Sequence, residues 1–138
     1  MSFTRIRLCK ETSSKLSILK GKTGLTPNIL CRIGFCISLG ESGIPDTRNY
    51  DEGGQEFNRY TLTGEWDIFF MALLRERLVK DGLNPEVELL PQFRAHINRG
   101  ISSLYVRVHS LSDLYNLIPD ERSIRPHAPA YTEDLDVA

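Results

Sequence analysis

The sequence predicts a mainly α protein: one compact helical domain over residues 1–118, opened by a short N-terminal extended segment. Three observations carry that reading. Apolar residues recur at helical spacing in four stretches, near residues 12–20, 27–39, 66–81 and 85–108. Polar–apolar alternation, the mark of a strand, opens the chain at Thr4–Leu8. A chain of 138 residues, 41% hydrophobic and 25% charged, fits one domain that can bury a core without disulfides or metals.

In the first stretch Ile6 and Leu8 point inward, so Arg5 and Arg7 emerge together on the opposite face. Five residues allow either a strand or an extended arm. Thr12 or Ser13 then caps a helix to about Lys20, with Leu16 and Leu19 on one stripe and Gly21 or Gly24 ending it. Thr26-Pro27 is a sharper start, a capping residue followed by proline at the first helical position. The helix it opens runs to about Leu39 and is apolar on almost every side, with Arg32 its only charge. Such a helix is covered all round. In so small a protein a subunit interface is expected to supply part of the cover, through Ile29, Ile33 and Ile37.

Gly, Pro and Asp punctuate the irregular stretch from Gly40 to about Glu65, which is acidic toward Asp51 and Glu52; Arg59–Leu62 reads as a short extended piece within it. Helical spacing returns from Trp66 to Asp81 through Phe69, Phe70, Leu73, Leu74 and Leu78. Pro85 to Val108 is one helix, or a pair broken at Pro91, with Leu89, Phe93, Ile97, Ile101 and Leu104 on its stripe. A short turn near Asp113–Ile118 precedes a proline-bearing, acidic segment, 119–138, with little to bury and expected to be a flexible tail. The order strand, helix, helix leaves open a ribbon-helix-helix-like start, although two more helices and a long loop exceed that small fold.

Charge is distributed unevenly. Residues 1–39 hold Arg5, Arg7, Lys10, Lys15, Lys20, Lys22 and Arg32 against the single acid Glu11, a balance of +6, while the remainder carries ten bases and seventeen acids. Folding gives no reason for this segregation, because like charges repel in a compact state. Binding to a polyanion, above all a nucleic-acid backbone, does give one. Lys15, Lys20 and Lys22 are the leading contact candidates, with Lys10, Arg7 and Arg5 behind them. Phe3, ahead of the first base, and Phe35, inside the apolar helix, are the only aromatics of this segment, so backbone contact rather than base stacking is expected.

Catalytic patterns are missing. His96, His109 and His127 are dispersed, and Cys9, Cys31 and Cys36 form no CxxC pair, so no metal, cofactor or disulfide is expected. Pro45-Asp46 and Pro119-Asp120 lack the following Glu-x-Lys of a nuclease motif, and Gly53-Gly54 lacks the GK[ST] of a phosphate loop. No apolar run approaches the roughly 20 residues of a membrane span. The opening MSFTRIRLCK has no signal-peptide core. A cytoplasmic protein is therefore expected.

The strings RIRLCKETSSKLSILKGKTGLTPNILCRIGFCISL, GQEFNRYTLTGE and FRAHINRGI closely resemble the DndE family of DNA sulfur modification proteins, over roughly Thr4 to Leu114. The resemblance implies a part in DNA phosphorothioation, the replacement of a non-bridging backbone oxygen by sulfur. It implies a small helical homotetramer that binds duplex DNA, preferring nicked duplex, through surface lysines. It also implies other proteins of the phosphorothioation complex as partners that carry the chemistry. On this chain the lysine role falls on Lys15, Lys20 and Lys22. Two other readings compete: a metal-dependent enzyme of the same system that nicks DNA, and a protein–protein adaptor without direct DNA contact.

Overall fold

The structure is a computed structural model and describes residues 2–118; the tail expected over 119–138 lies outside them. The chain runs β1 (Arg5–Arg7), α1 (Lys10–Thr23), α2 (Pro27–Gly40), a 3-10 turn (Thr47–Asn49), β2 (Glu56–Asn58), α3 (Arg59–Thr63), a second 3-10 turn (Gly64–Trp66), α4 (Asp67–Lys80), α5 (Pro85–Arg107) and a last 3-10 segment (Leu111–Leu117). The domain is mainly α, as its periodicities predict.

Helix α5 is the axis. Its central residues Gln92–Asn98 are buried without a break, and α1, α2 and α4 pack around it. Phe93 and Phe35 meet edge to face at 5.2 Å, with Phe3 and Phe70 extending the aromatic cluster. Pro91 does not break the helix. Its ring removes one hydrogen bond in the second turn, and the carbonyl thereby released belongs to the exposed Val87.

Helix α1 starts earlier than Thr12. Cys9 is its N-cap, accepting weakly from the Thr12 N–H at 3.4 Å, while Asn98 Oδ1 accepts from Cys9 N–H and Asp51 Oδ1 from Lys10 N–H. Long-range acceptors thus serve N–H groups that local sequence leaves unassigned. The other end follows expectation, with Gly24 at φ 77° as the left-handed cap.

Strand β1 pairs antiparallel with β2 of the same chain, Arg5 opposite Asn58 and Arg7 opposite Glu56. Its partner is therefore internal, whereas a ribbon-helix-helix start would pair this strand with that of a second chain. Arg59–Leu62, expected to be extended, is helical. Asn58 ends the strand and its Oδ1 accepts from the N–H groups of Tyr60 and Thr61, which starts α3 at once.

Helix α2 buries Leu30, Cys31, Gly34, Phe35 and Ser38 against α5. Its C-terminus has no basic residue of its own; two arginines from elsewhere serve it. Arg77 donates to the carbonyls of Leu39, Glu41 and Gly43 while paired with Asp81 at 2.8 Å, and Arg99 donates to the Ser38 carbonyl and hydroxyl. Guanidinium forks thus occupy carbonyls that a helix end leaves without partners.

Candidate nucleic-acid interface

The seven bases of the N-terminal segment separate into two groups. The arginines are engaged by the protein itself. Arg5 and Arg7 do emerge together on the exposed face of β1, where both meet Glu56, at 3.1 and 3.5 Å. Arg7 also donates to the Gly54 carbonyl. Arg32 turns inward and donates to the carbonyls of Leu62 and Thr61, closing the C-terminal end of α3.

The acidic loop that stands apart in sequence explains part of this. Asp51 accepts from the backbone N–H groups of Gly53 and Lys10, which hold its carboxyl below the usual carboxylate range. Glu52 lies 3.9 Å from Arg94, whose guanidinium donates to the carbonyls of Arg7 and Asp51. The loop is thereby bound to the start of α1 and to β1.

Three of the segment's four lysines are free of ion pairs among the described residues. Lys10, Lys20 and Lys22 are exposed and form no ion pair among the described residues. Lys15 is half-buried, 3.0 Å from Glu11 one turn away, and donates to Ser102 Oγ of α5 at 3.3 Å. Its ammonium lies 5.4 Å from the centroid of the Tyr105 ring, and that of Lys22 lies 5.6 Å from the same centroid. Lys15 and Lys22 therefore share one face of α1 and converge on an aromatic ring from α5, while Lys10 and Lys20 leave the helix from other sides. Sequence reading missed Tyr105 and Ser102. The one signal was a tyrosine, with its polar tip, near the end of an apolar stripe beside Ser102-Ser103.

The proposed interface isoleucines lie on another face. Ile29 is exposed, whereas Ile33 and Ile37 are half-buried in a cleft of about 800 Å³ whose walls include Cys36, Phe70, Leu114 and Leu117. α2 thus has one face in the core and one along an apolar cleft.

The histidines and cysteines do not assemble. His96 is fully buried. Arg99 donates to Ser38 Oγ at 2.8 Å, leaving the Ser38 hydroxyl to donate to His96 Nδ1, also at 2.8 Å. That network puts the imidazole proton on Nε2, which has no partner among the described residues. Burial first, then the nearby guanidiniums of Arg99 and Arg77, lower its pKa to about 4. Cys9 caps α1. Burial pushes the Cys31 thiol up to about 12 and raises that of exposed Cys36, the opposite of an activated nucleophile. His127 lies outside the described residues. Among those described, no group of three or more His, Cys, Asp or Glu is placed to hold a metal ion, and no helix is long and apolar enough to cross a membrane.

Fold and site together define a small, mainly helical domain with a lysine-bearing face opposite no assembled catalytic group among the described residues. The family model for DNA sulphur modification protein DndE matches residues 5–112, and the chain belongs to that family. Among solved structures it is similar to DndE from Escherichia coli B7A, described as involved in DNA phosphorothioation modification: TM-score 0.62 and 28% identity over 75% of this chain and 98% of that one. It is also similar in fold to a glycine-to-lysine double mutant of DndE, with TM-score 0.61 and 24% identity over 75% and 99% of the two chains. No curated protein sequence matches it.

Proposed function

We propose that this protein is the DNA-contacting, non-catalytic subunit of the phosphorothioation machinery, working in the cytoplasm on duplex DNA, with preference for nicked duplex. Family membership supplies the system. The lysines of α1 supply the contact: Lys10, Lys20 and Lys22 stand on one helix without ion-pair partners among the described residues. That observation carries the reading, since uncompensated cations are kept where an external anion completes them. Lys15 joins them from its half-buried position. Arg5 and Arg7, shared with Glu56, are lesser contacts.

Assembly fits the same picture. The α2 cleft, with Ile33 and Ile37 in it and Ile29 exposed beside it, is an apolar surface suited to a second copy, and a homotetramer would present four lysine faces. Several weak phosphate contacts on one assembly strengthen one another when the DNA reaches more than one of them. Other proteins of the system supply the sulfur chemistry.

Molar mass in solution, measured with binding to intact and nicked duplex at two salt concentrations, tests this. The expected result is a tetramer that binds nicked duplex more tightly and weakens steeply as salt rises. Ile33→Asp or Ile37→Asp lowers both mass and affinity. Lack of DNA binding at low salt overturns the reading in favour of an adaptor. Conversion of supercoiled plasmid to open circle with divalent metal, surviving repurification, overturns it in favour of a nicking enzyme.

A further inference from the structure

The convergence of Lys15 and Lys22 is costly unless something rewards it. The two residues stand two helical turns apart on α1, yet their ammonium groups lie 5.4 and 5.6 Å from one ring centroid. Like charges drawn toward one point repel. Glu11 offsets Lys15 alone; Lys22 has no carboxylate partner among the described residues. The ring itself is half-buried on α5, one turn from Ser102, which accepts from Lys15. Its hydroxyl makes no hydrogen bond among the described residues, so the face of the ring, and not its polar tip, is what the protein uses.

We propose that Tyr105 is a positioning residue: its ring holds the ammonium groups of Lys15 and Lys22 as a preformed pair that receives phosphodiester oxygens of a DNA backbone. This rests on the DNA-contact reading above. A free lysine side chain samples many rotamers, and fixing each one on binding costs affinity. A ring face that attracts the cations restricts that sampling before DNA arrives, without neutralising the charge. A phosphodiester anion that contacts the ammonium groups offsets their repulsion. Ser102 fixes the inner lysine, leaving Lys22 as the outer, more exposed member.

The test is a double-mutant cycle on the full-length protein, read by affinity for nicked duplex against salt concentration. Tyr105→Leu weakens binding about fivefold to tenfold, through lost preorganisation of two side chains. It leaves the salt slope unchanged, because no charge is removed. Tyr105→Phe, which keeps the ring, stays within about twofold of wild type. In a Lys15→Gln, Lys22→Gln background, Tyr105→Leu has no further effect. An independent arm needs no DNA and no variant that must fold: in the wild-type protein the ε-methylene protons of Lys15 and Lys22 resonate upfield under the ring.

The inference is overturned if Tyr105→Leu is neutral while the lysine pair matters, or if its effect persists undiminished without the lysines. It is equally overturned if Tyr105→Phe loses as much as Tyr105→Leu, since the hydroxyl would then carry the effect, or if the ε-methylene protons show no ring shift. Should Lys15→Gln, Lys22→Gln and Lys20→Gln together leave affinity intact, the DNA-contact reading itself falls and this inference with it. That outcome is distinct from every other.

Discussion

Gly34 of α2 and Gly100 of α5 meet backbone to backbone. A methyl group on Gly100 would fall inside the carbonyl of Gly34, and one on Gly34 would come within 3.0 to 3.2 Å of Ile101 and the Gly100 carbonyl carbon. The two helices that hold the core therefore cross where neither has a side chain. The crossing fixes how closely α5 approaches α2, and α5 is the helix from which Ser102 and Tyr105 reach α1.

The crossing predicts a graded response to alanine. Gly100→Ala forces backbone apart from backbone and costs about 3 kcal/mol or more, at the upper end of overpacking. Gly34→Ala meets the movable Cδ1 of Ile101 first and costs about 1–2 kcal/mol. Gly21→Ala, in α1 with nothing within 4 Å, stabilises by about 0.5–1 kcal/mol, since glycine is a poor helix former. Urea unfolding of the three variants gives the order directly.

His96 predicts a pH dependence with a definite sign. Its folded pKa, about 4, lies below the 6.5 of the free side chain, so the unfolded chain binds the proton more readily. The neutral buried form therefore contributes its full share of stability above about pH 6.5. That share is lost as pH falls from there toward 4, a change of about 3 kcal/mol if no relaxation intervenes. His96→Gln removes this component: subtracting its stability-versus-pH curve from that of the wild type leaves a step confined to that window. A flat difference contradicts the assignment.

Glu56 restrains the two arginines of β1, and its removal should release them. Glu56→Gln takes away the carboxylate facing Arg5 and Arg7 while keeping the side chain's size. Affinity for duplex DNA then rises about threefold to fivefold and the salt slope steepens by up to about 1, as one more base becomes available to phosphate. Both changes vanish in an Arg5→Gln, Arg7→Gln background. Stability changes little, because exposed ion pairs contribute about 0–1 kcal/mol.

The four long helices were readable because their apolar stripes must face one core. The Thr26-Pro27 start and the Gly24 stop were readable because they depend on local backbone chemistry. Misplaced elements depend on distant residues. Cys9 caps α1 three positions before Thr12 because Asn98 and Asp51 come to it through space. The helix at Arg59–Thr63 follows from a strand whose partner lies 51 positions away, since β1 fixes where β2 ends. The charge count drew attention to the lysines of α1, and helical spacing put Lys15 and Lys22 near one face with Lys20 around the side. It could not see that Glu56 returns across the sheet to Arg5 and Arg7, nor that α5 brings Tyr105 beneath Lys15 and Lys22. The strings that carry the family resemblance are largely occupied with folding: Arg59 pairs with Asp67, Arg32 closes α3, and Arg94, His96, Arg99 and Gly100 tie α5 to its neighbours.

The central claim is that the lysines of α1 bind phosphate, and counterion release measures that most directly. Binding of wild type and of a Lys15→Gln, Lys20→Gln, Lys22→Gln variant to nicked duplex should be followed across a range of salt concentrations. With each lost phosphate contact lowering the slope of log K against log salt by about 0.9, the variant's slope should be shallower by about 2 to 3, with much weaker binding at low salt. A variant with the wild-type slope and affinity would contradict the account.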